Sequence, residues 1–299
     1  MTQHTLHESV TPCTLGKLID RRVANWIGAR SRQLQQERGY RMAVFANDLI
    51  GININQFGVY ESEELNLLFE FLEPLRSIFA AGLALDIGAN VGNHARVFAQ
   101  RFLSVEAFEP NPPTLELLRI NTRGAPNVTV HGHGLGDRPG TFDLMEDPGN
   151  MGGSSMAAAA VPGTPAVRVR VERLDDMDLN TARLCFAKID VEGFEPAVLR
   201  GAERTLREAQ PLIVMEQHTR EFVGGSSPAI DFLLALGYQF CWQQVSAARG
   251  PRWVRRVIRL WSLLVGEQRR IVCAEQVPPG HYSMLIAVPP RFSRVLGLK

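Results

Sequence analysis

The chain has 299 residues, 45% of them hydrophobic, with 32 basic and 31 acidic side chains and a net charge of +1. So even a balance excludes a general electrostatic pull on nucleic acid, and any basic site has to be local. The four scattered cysteines form no CxxC pair and speak against a zinc knuckle or a disulfide framework, no stretch is as long and apolar as a membrane span, and the N-terminus MTQHTLHESVTP lacks a signal-peptide core, so the expectation is a cytoplasmic protein.

Residues 1–14 read as a polar tail and 15–38 as a helix, because Leu15, Leu18, Ile19, Val23 and Ile27 recur at helical spacing. YRMAVFANDLIGININQFGVY (40–60) is rich in β-branched and aromatic residues and predicts a short hairpin turning at AND. ESEELNLLFEFLEPLRSIFAAG (61–82) predicts an amphipathic helix, kinked or split at Pro74. Together 1–82 form a tail and a helix/hairpin cap on a larger domain spanning 83–290, followed by a short tail at 291–299.

From Leu83 strand, turn and helix alternate, the pattern of a parallel sheet covered on both faces. Strands are expected at 83–87, 104–109, 127–134, 184–190 and 212–217. The helices opening at NPPTLELL and EPAVLRGAERTL carry proline in their first turn, where its missing N–H costs nothing. Residues 138–182 interrupt the rhythm with two strands, GTFDLMED and AVRVRVERL, around a small-residue loop that reads either as a solvated connection or as one whose Ser154 and Ser155 touch a substrate. A helix, SSPAIDFLLALGY, and the strands QFCWQQV and YSMLIAVP complete the domain, with an insertion at 246–277 between those strands.

The turn in LDIGANVGNHARVFA (85–99) decides the ligand class. A dinucleotide turn needs GxGxxG, but counting from Gly88 the chain offers Gly88, Asn90 and Asn93. A phosphate-cradling loop needs a lysine, and none occurs between Lys17 and Lys188. S-adenosylmethionine carries no phosphate and needs only a backbone turn open to close approach, which Gly88 and Gly92 would provide by lacking Cβ atoms. Asp86 would then set a carboxylate near its ammonium or sulfonium. Glu109, closing the second strand, is placed to accept both ribose hydroxyls of an adenosine.

LDIGANVGNHARVFA, VEAFEPNPPTLELLRIN, GLGDRPGTF, GGSS, ERLDD, AKIDVEGFEPAVLRGAERTL and PLIVME together resemble, in order, the FkbM family of S-adenosylmethionine-dependent methyltransferases. That resemblance implies an α/β, Rossmann-like class I fold: a seven-stranded, mostly parallel sheet in the order 3-2-1-4-5-7-6, with helices on both faces. It implies that Asp86, Gly88, Asn90, Gly92, Asn93 and Glu109 hold the cofactor and that Asp137 meets the adenine amino group. It also sets Asp190 and Glu192, with Glu216 and His218, at one mouth as candidate catalytic groups.

A sugar hydroxyl is a poor nucleophile unless a base takes its proton, and these four residues are the candidates. Mg2+ held by Asp190, Glu192 and Glu216 is the alternative, not favoured. The resemblance supplies the preference for O-methyl transfer to a carbohydrate or glycolipid hydroxyl. Rival readings are an NAD-dependent oxidoreductase and a non-catalytic cofactor-binding scaffold protein. Residues 249–270 contain seven arginines and one acid around an apolar stripe with Trp253 and Trp261, which predicts a lid, a homodimer contact or a peripheral membrane element, with no nucleic acid as partner.

Overall fold

In a computed structural model of the chain, residues 14–145, 166–245 and 269–298 are described. The Ser154 and Ser155 loop and residues 246–268 of the basic insertion lie outside them. Helix α1 (Leu15–Arg38) starts at Thr14, whose hydroxyl accepts from the Lys17 amide, and stops at Gly39, where φ is +77°. The expected hairpin is absent from 40–60: its second half is a helix, α2 (Leu49–Phe57). Asp48, expected in a β-turn, caps that helix by accepting from the amides of Ile50 and Gly51. A cap of this kind overrides the β-preference of the isoleucines that follow. Pro74 does split the next helix, into α3 (Ser62–Phe71) and α4 (Arg76–Ala80) joined by one tight turn.

Strands β1 (Leu83–Ile87), β2 (Ser104–Phe108) and β3 (Val128–His131) follow, with α5 (Asn93–Phe98) and α6 (Pro112–Thr122) between them. The remaining elements are β4 (Gly134–Leu135), β5 (Gly140–Met145), β6 (Ala166–Glu172), β7 (Leu184–Ile189), α7 (Glu195–Gly201), α8 (Glu203–Ala209), β8 (Leu212–Gln217), α9 (Pro228–Ala235), β9 (Gln239–Val245), β10 (Arg269–Ala274) and β11 (Tyr282–Val288). The main sheet runs β10-β9-β11-β8-β7-β1-β2-β3, with β11 antiparallel to both its neighbours. Without β10 this is the expected 3-2-1-4-5-7-6 order. The sheet has eight strands because Arg269 and Arg270, expected to end the basic insertion, open β10 and pair antiparallel with β9. The third expected strand also divides, and β4 leaves it to join β5 and β6 in a separate small sheet.

Pairing of β9 with β10 sets Cys241 directly opposite Cys273, and the two form a disulfide. The scattered spacing that spoke against a disulfide framework gives no sign of this one bond, because the sheet makes neighbours of two residues 32 apart in sequence. Cys185 is free and buried.

One core cluster joins the sheet to α7, α8 and α9 through residues such as Leu85, Leu199, Met215 and Leu233. The opposite face is covered by α3, α4 and α5, where Leu68, Leu72 and Leu75 are buried against the sheet. Phe186 of β7 anchors that side, with ring centroids 5.1 Å from both Phe98 and Phe102 and 5.9 Å from Phe79. Replacing Phe186 by Ala should cost about 3–5 kcal/mol in urea unfolding, through lost burial and the cavity left among these rings. A cost below about 1 kcal/mol would show that the rings do not form one packed unit.

Candidate active site

The site forms where β1, β7 and β8 end side by side. Beyond Ile87 the chain turns through Gly88 at φ +81°, Asn90 at +50° and Gly92 at +88°. The amides of Gly88 and Ala89 both donate to the Phe108 carbonyl, which fastens the turn to the end of β2. The two glycines also make room for neighbouring parts of the protein. A Cβ on Gly88 would lie 1.8 Å from the carbonyl oxygen of Asp190, and one on Gly92 2.7 Å from Leu118 Cδ1. Neighbouring protein atoms fill the space that their missing side chains leave.

Glu109 faces this turn. Its Oε2 accepts from the Asn90 amide at 2.9 Å and its Oε1 from the Asn111 amide at 2.8 Å. Burial pushes its carboxyl up to about 7, against the pull of those two amides. Asn90 turns its own side-chain oxygen back to the Val91 amide. Asn93 points its amide at the cap, exchanging two hydrogen bonds of 2.9 and 3.0 Å with the backbone of Tyr60.

Asp86 is wholly buried and does not line the cleft, which corrects the expectation of a direct contact with the ligand. It stands mid-sheet on β1, between β2 and β7. Burial raises its pKa while Lys188 and His94 oppose the rise. Asp137 also lies elsewhere: its Oδ2 accepts from Arg200 Nε and Nη2 at 3.0 and 2.8 Å, in a separate hollow beside Phe142 and Phe194.

Asp190, Glu192, Glu216 and His218 do come together. Lys188 is buried and places Nζ 2.8 Å from Asp190 Oδ2. Burial alone would raise the Asp190 carboxyl, but the Lys188 ammonium outweighs it and holds the group below its usual range. Glu216 is pushed the other way, up to about 9, by burial and then by the charges of Asp190 and Glu192. Burial, and then Asp190, raises Glu192 as well. His218 Nε2 lies 3.3 Å from both Glu192 Oε2 and Glu216 Oε2. Glu195, which the sequence did not single out, accepts from the amides of Val191 and Gly193 and so braces the loop that carries Glu192 at φ +53°.

Three further residues of this mouth escaped the sequence reading. Tyr60 enters the cleft from the cap, and burial followed by the nearby Glu61, Asp190 and Glu216 charges raises its hydroxyl pKa. Lys188 could have been found, since it is one of only three lysines in the chain. His281 stacks on His218 at 5.2 Å, but nothing in its sequence surroundings marks it.

Gly88→Ala should destabilise the protein much more than Gly92→Ala in thermal unfolding. At Gly88 the new methyl meets backbone, whereas at Gly92 it meets the movable end of a leucine. Equal effects would remove the special role of Gly88.

The model of the methyltransferase FkbM domain matches residues 86–240. A curated relative, the hexuronic acid methyltransferase AglP of Haloferax volcanii, is 28% identical over 132 residues, which cover 43% of this chain and 53% of that protein. The match thus spans about half the length of that relative. Among solved structures, a methyltransferase FkbM from Methylobacillus flagellatus KT is 18% identical and superposes with a TM-score of 0.38 over 89% of this chain and 61% of that one. A precorrin-6y C5,15-methyltransferase from Geobacter metallireducens GS-15 is 19% identical, with a TM-score of 0.39 over 80% and 98%. Both superpositions are loose, and the assignment rests on the domain match alone. Since that match runs over more than half of the chain, from Asp86 on β1 to Phe240 on β9, the protein belongs to the FkbM methyltransferase family.

Proposed function

We propose that the protein transfers a methyl group from S-adenosylmethionine to a hydroxyl of a sugar-type acceptor. The observation that carries this reading is the facing of two halves across one cleft: Glu109 and residues 88–91 of the turn on one side, and Asp190, Glu192 and Glu216, with His218 beside them, on the other. S-adenosylmethionine, when bound, supplies an electrophilic methyl carbon on a sulfonium. Glu109 fits its ribose, because each carboxyl oxygen keeps a lone pair beyond its one amide bond. Pro110 and Leu144 give the same cleft apolar wall against which a flat base can lie.

The acceptor hydroxyl is placed at the β7 and β8 ends. Its oxygen forms the new bond to carbon as the carbon–sulfur bond breaks, and its proton passes to the cluster, with Glu192 as the accepting carboxylate. Asp190, held ionised by Lys188, accepts a hydrogen bond from the acceptor and fixes its orientation. The curated relative's action on hexuronic acids supports a sugar-type acceptor. Family membership replaces the nicotinamide alternative. No helix among the described residues is long and apolar enough to cross a membrane, and a cytoplasmic location with peripheral membrane contact through 249–270 remains part of this proposal.

S-adenosylhomocysteine should raise the melting temperature, and no rise would overturn the cofactor assignment. An ionised Glu109 can accept from both ribose hydroxyls, whereas protonation turns one of its oxygens into a donor, and its pKa is raised to about 7 in the free protein. Affinity should therefore fall as pH drops below 7 and flatten in Glu109→Gln; an unchanged profile in that variant would remove the ribose role. With labelled S-adenosylmethionine and hexuronate or hexose acceptors, Glu192→Gln should lower kcat ~10²–10⁴-fold while S-adenosylhomocysteine binding persists. An unchanged kcat would take Glu192 out of the proton transfer.

A further inference from the structure

The cluster at the end of β8 is not purely acidic. Glu216 is the penultimate residue of that strand, His218 follows two residues later, and His281 arrives from the far end of the chain just before β11. Glu216 Oε2 lies 3.3 Å from His218 Nε2, and Glu216 Oε1 lies 3.9 Å from His281 Nε2. One donor atom from each of the three falls within 4.8 Å of the others. Two ligands bound at ~2.1 Å to a common ion sit ~3–4 Å apart, so this spacing matches a shared centre.

His218 adds an independent sign. Its Nε2 stands between two carboxylate oxygens, Glu192 Oε2 and Glu216 Oε2, each 3.3 Å away. Charge leads to the same place. Asp190, Glu192 and Glu216 also bring oxygen atoms within 4.8 Å of one another, and the buried ammonium beside them, Lys188, is bonded to Asp190.

We propose that Glu216, His218 and His281 form a binding site for a first-row divalent cation at the acceptor end of the cleft. Two imidazoles and one carboxylate suit Mn2+, Fe2+, Co2+ or Zn2+ better than Mg2+ or Ca2+, which prefer an all-oxygen shell. One carboxylate leaves a single positive charge on the ion, which an acceptor alkoxide neutralises. His281 is half-exposed and Glu216 lines the cleft, which leaves a position on the ion for that oxygen. What the ion does rests on the methyl-transfer reading. Bound to the acceptor oxygen, it favours loss of the hydroxyl proton to Glu192, and the oxygen then takes the methyl group as the carbon–sulfur bond breaks.

Binding is tested without turnover. Full-length protein freed of metal by a chelator and dialysed is titrated with Co2+ by visible absorption and with Mn2+ and Zn2+ by calorimetry. One ion per chain should bind with d–d bands of a mixed nitrogen and oxygen shell. His281→Ala and Glu216→Gln should each weaken binding at least ~10-fold, whereas His131→Ala, remote from the cluster, should not. Retained thermal stabilisation by S-adenosylhomocysteine shows that each variant is folded. The proposal is overturned if no saturable binding occurs at millimolar cation, or if affinity survives both His281→Ala and Glu216→Gln. Tight binding of this pattern without methylation of any acceptor would leave the site standing and overturn the function assigned to it.

Discussion

The close approach between Gly88 and the Asp190 carbonyl governs the rest of the site. Strands β1 and β7 are neighbours, and both chains leave the sheet at the same end. They can do so side by side only because Gly88 has no Cβ and accepts a left-handed backbone, letting the Asp190 backbone pass where a methyl would stand. That crossing fixes the distance between the turn facing Glu109 and the loop carrying Glu192. Cofactor half and acceptor half are thereby set by backbone, before any side chain is chosen.

Electrostatics then sorts side chains of similar chemistry into different states. Asp190 and Glu216 sit at the ends of adjacent strands, yet Lys188 holds one ionised while burial and neighbouring anions drive the other towards protonation. Burying an ammonium is unfavourable by itself, and Lys188 is tolerated because Asp190 bonds it and Asp86 and Glu61 add their fields. The fold thus keeps a cation directly beneath a cleft that is otherwise acidic. Glu109 is shaped by the opposite balance, with two backbone amides in place of a cation.

Much of this was legible in the chain. The central strands were found because buried parallel strands are short apolar runs bounded by turn residues, and β1 and β8 fall where LALDI and LIVMEQ place them. The meeting of Asp190, Glu192, Glu216 and His218 followed from strand order. Other features were set by partners distant in sequence. Asp48 looks the same in a hairpin turn and at a helix start, and the choice depends on Gly51 packing against the Phe45 backbone. Asp137 stands in the expected motif, but Arg200, 63 residues away, draws it off to another hollow. His281 had no local signal, because only β11 returning beside β8 brings it to Glu216.

The bond between Cys241 and Cys273 has a topological effect beyond joining an edge strand to the sheet. It turns everything between the two residues, the arginine-rich stretch included, into a covalent ring. A protease that cuts once inside that ring releases no fragment. The two halves of the polypeptide stay joined through sulfur as well as through the pairing of β9 with β10, and they separate as distinct bands only after reduction.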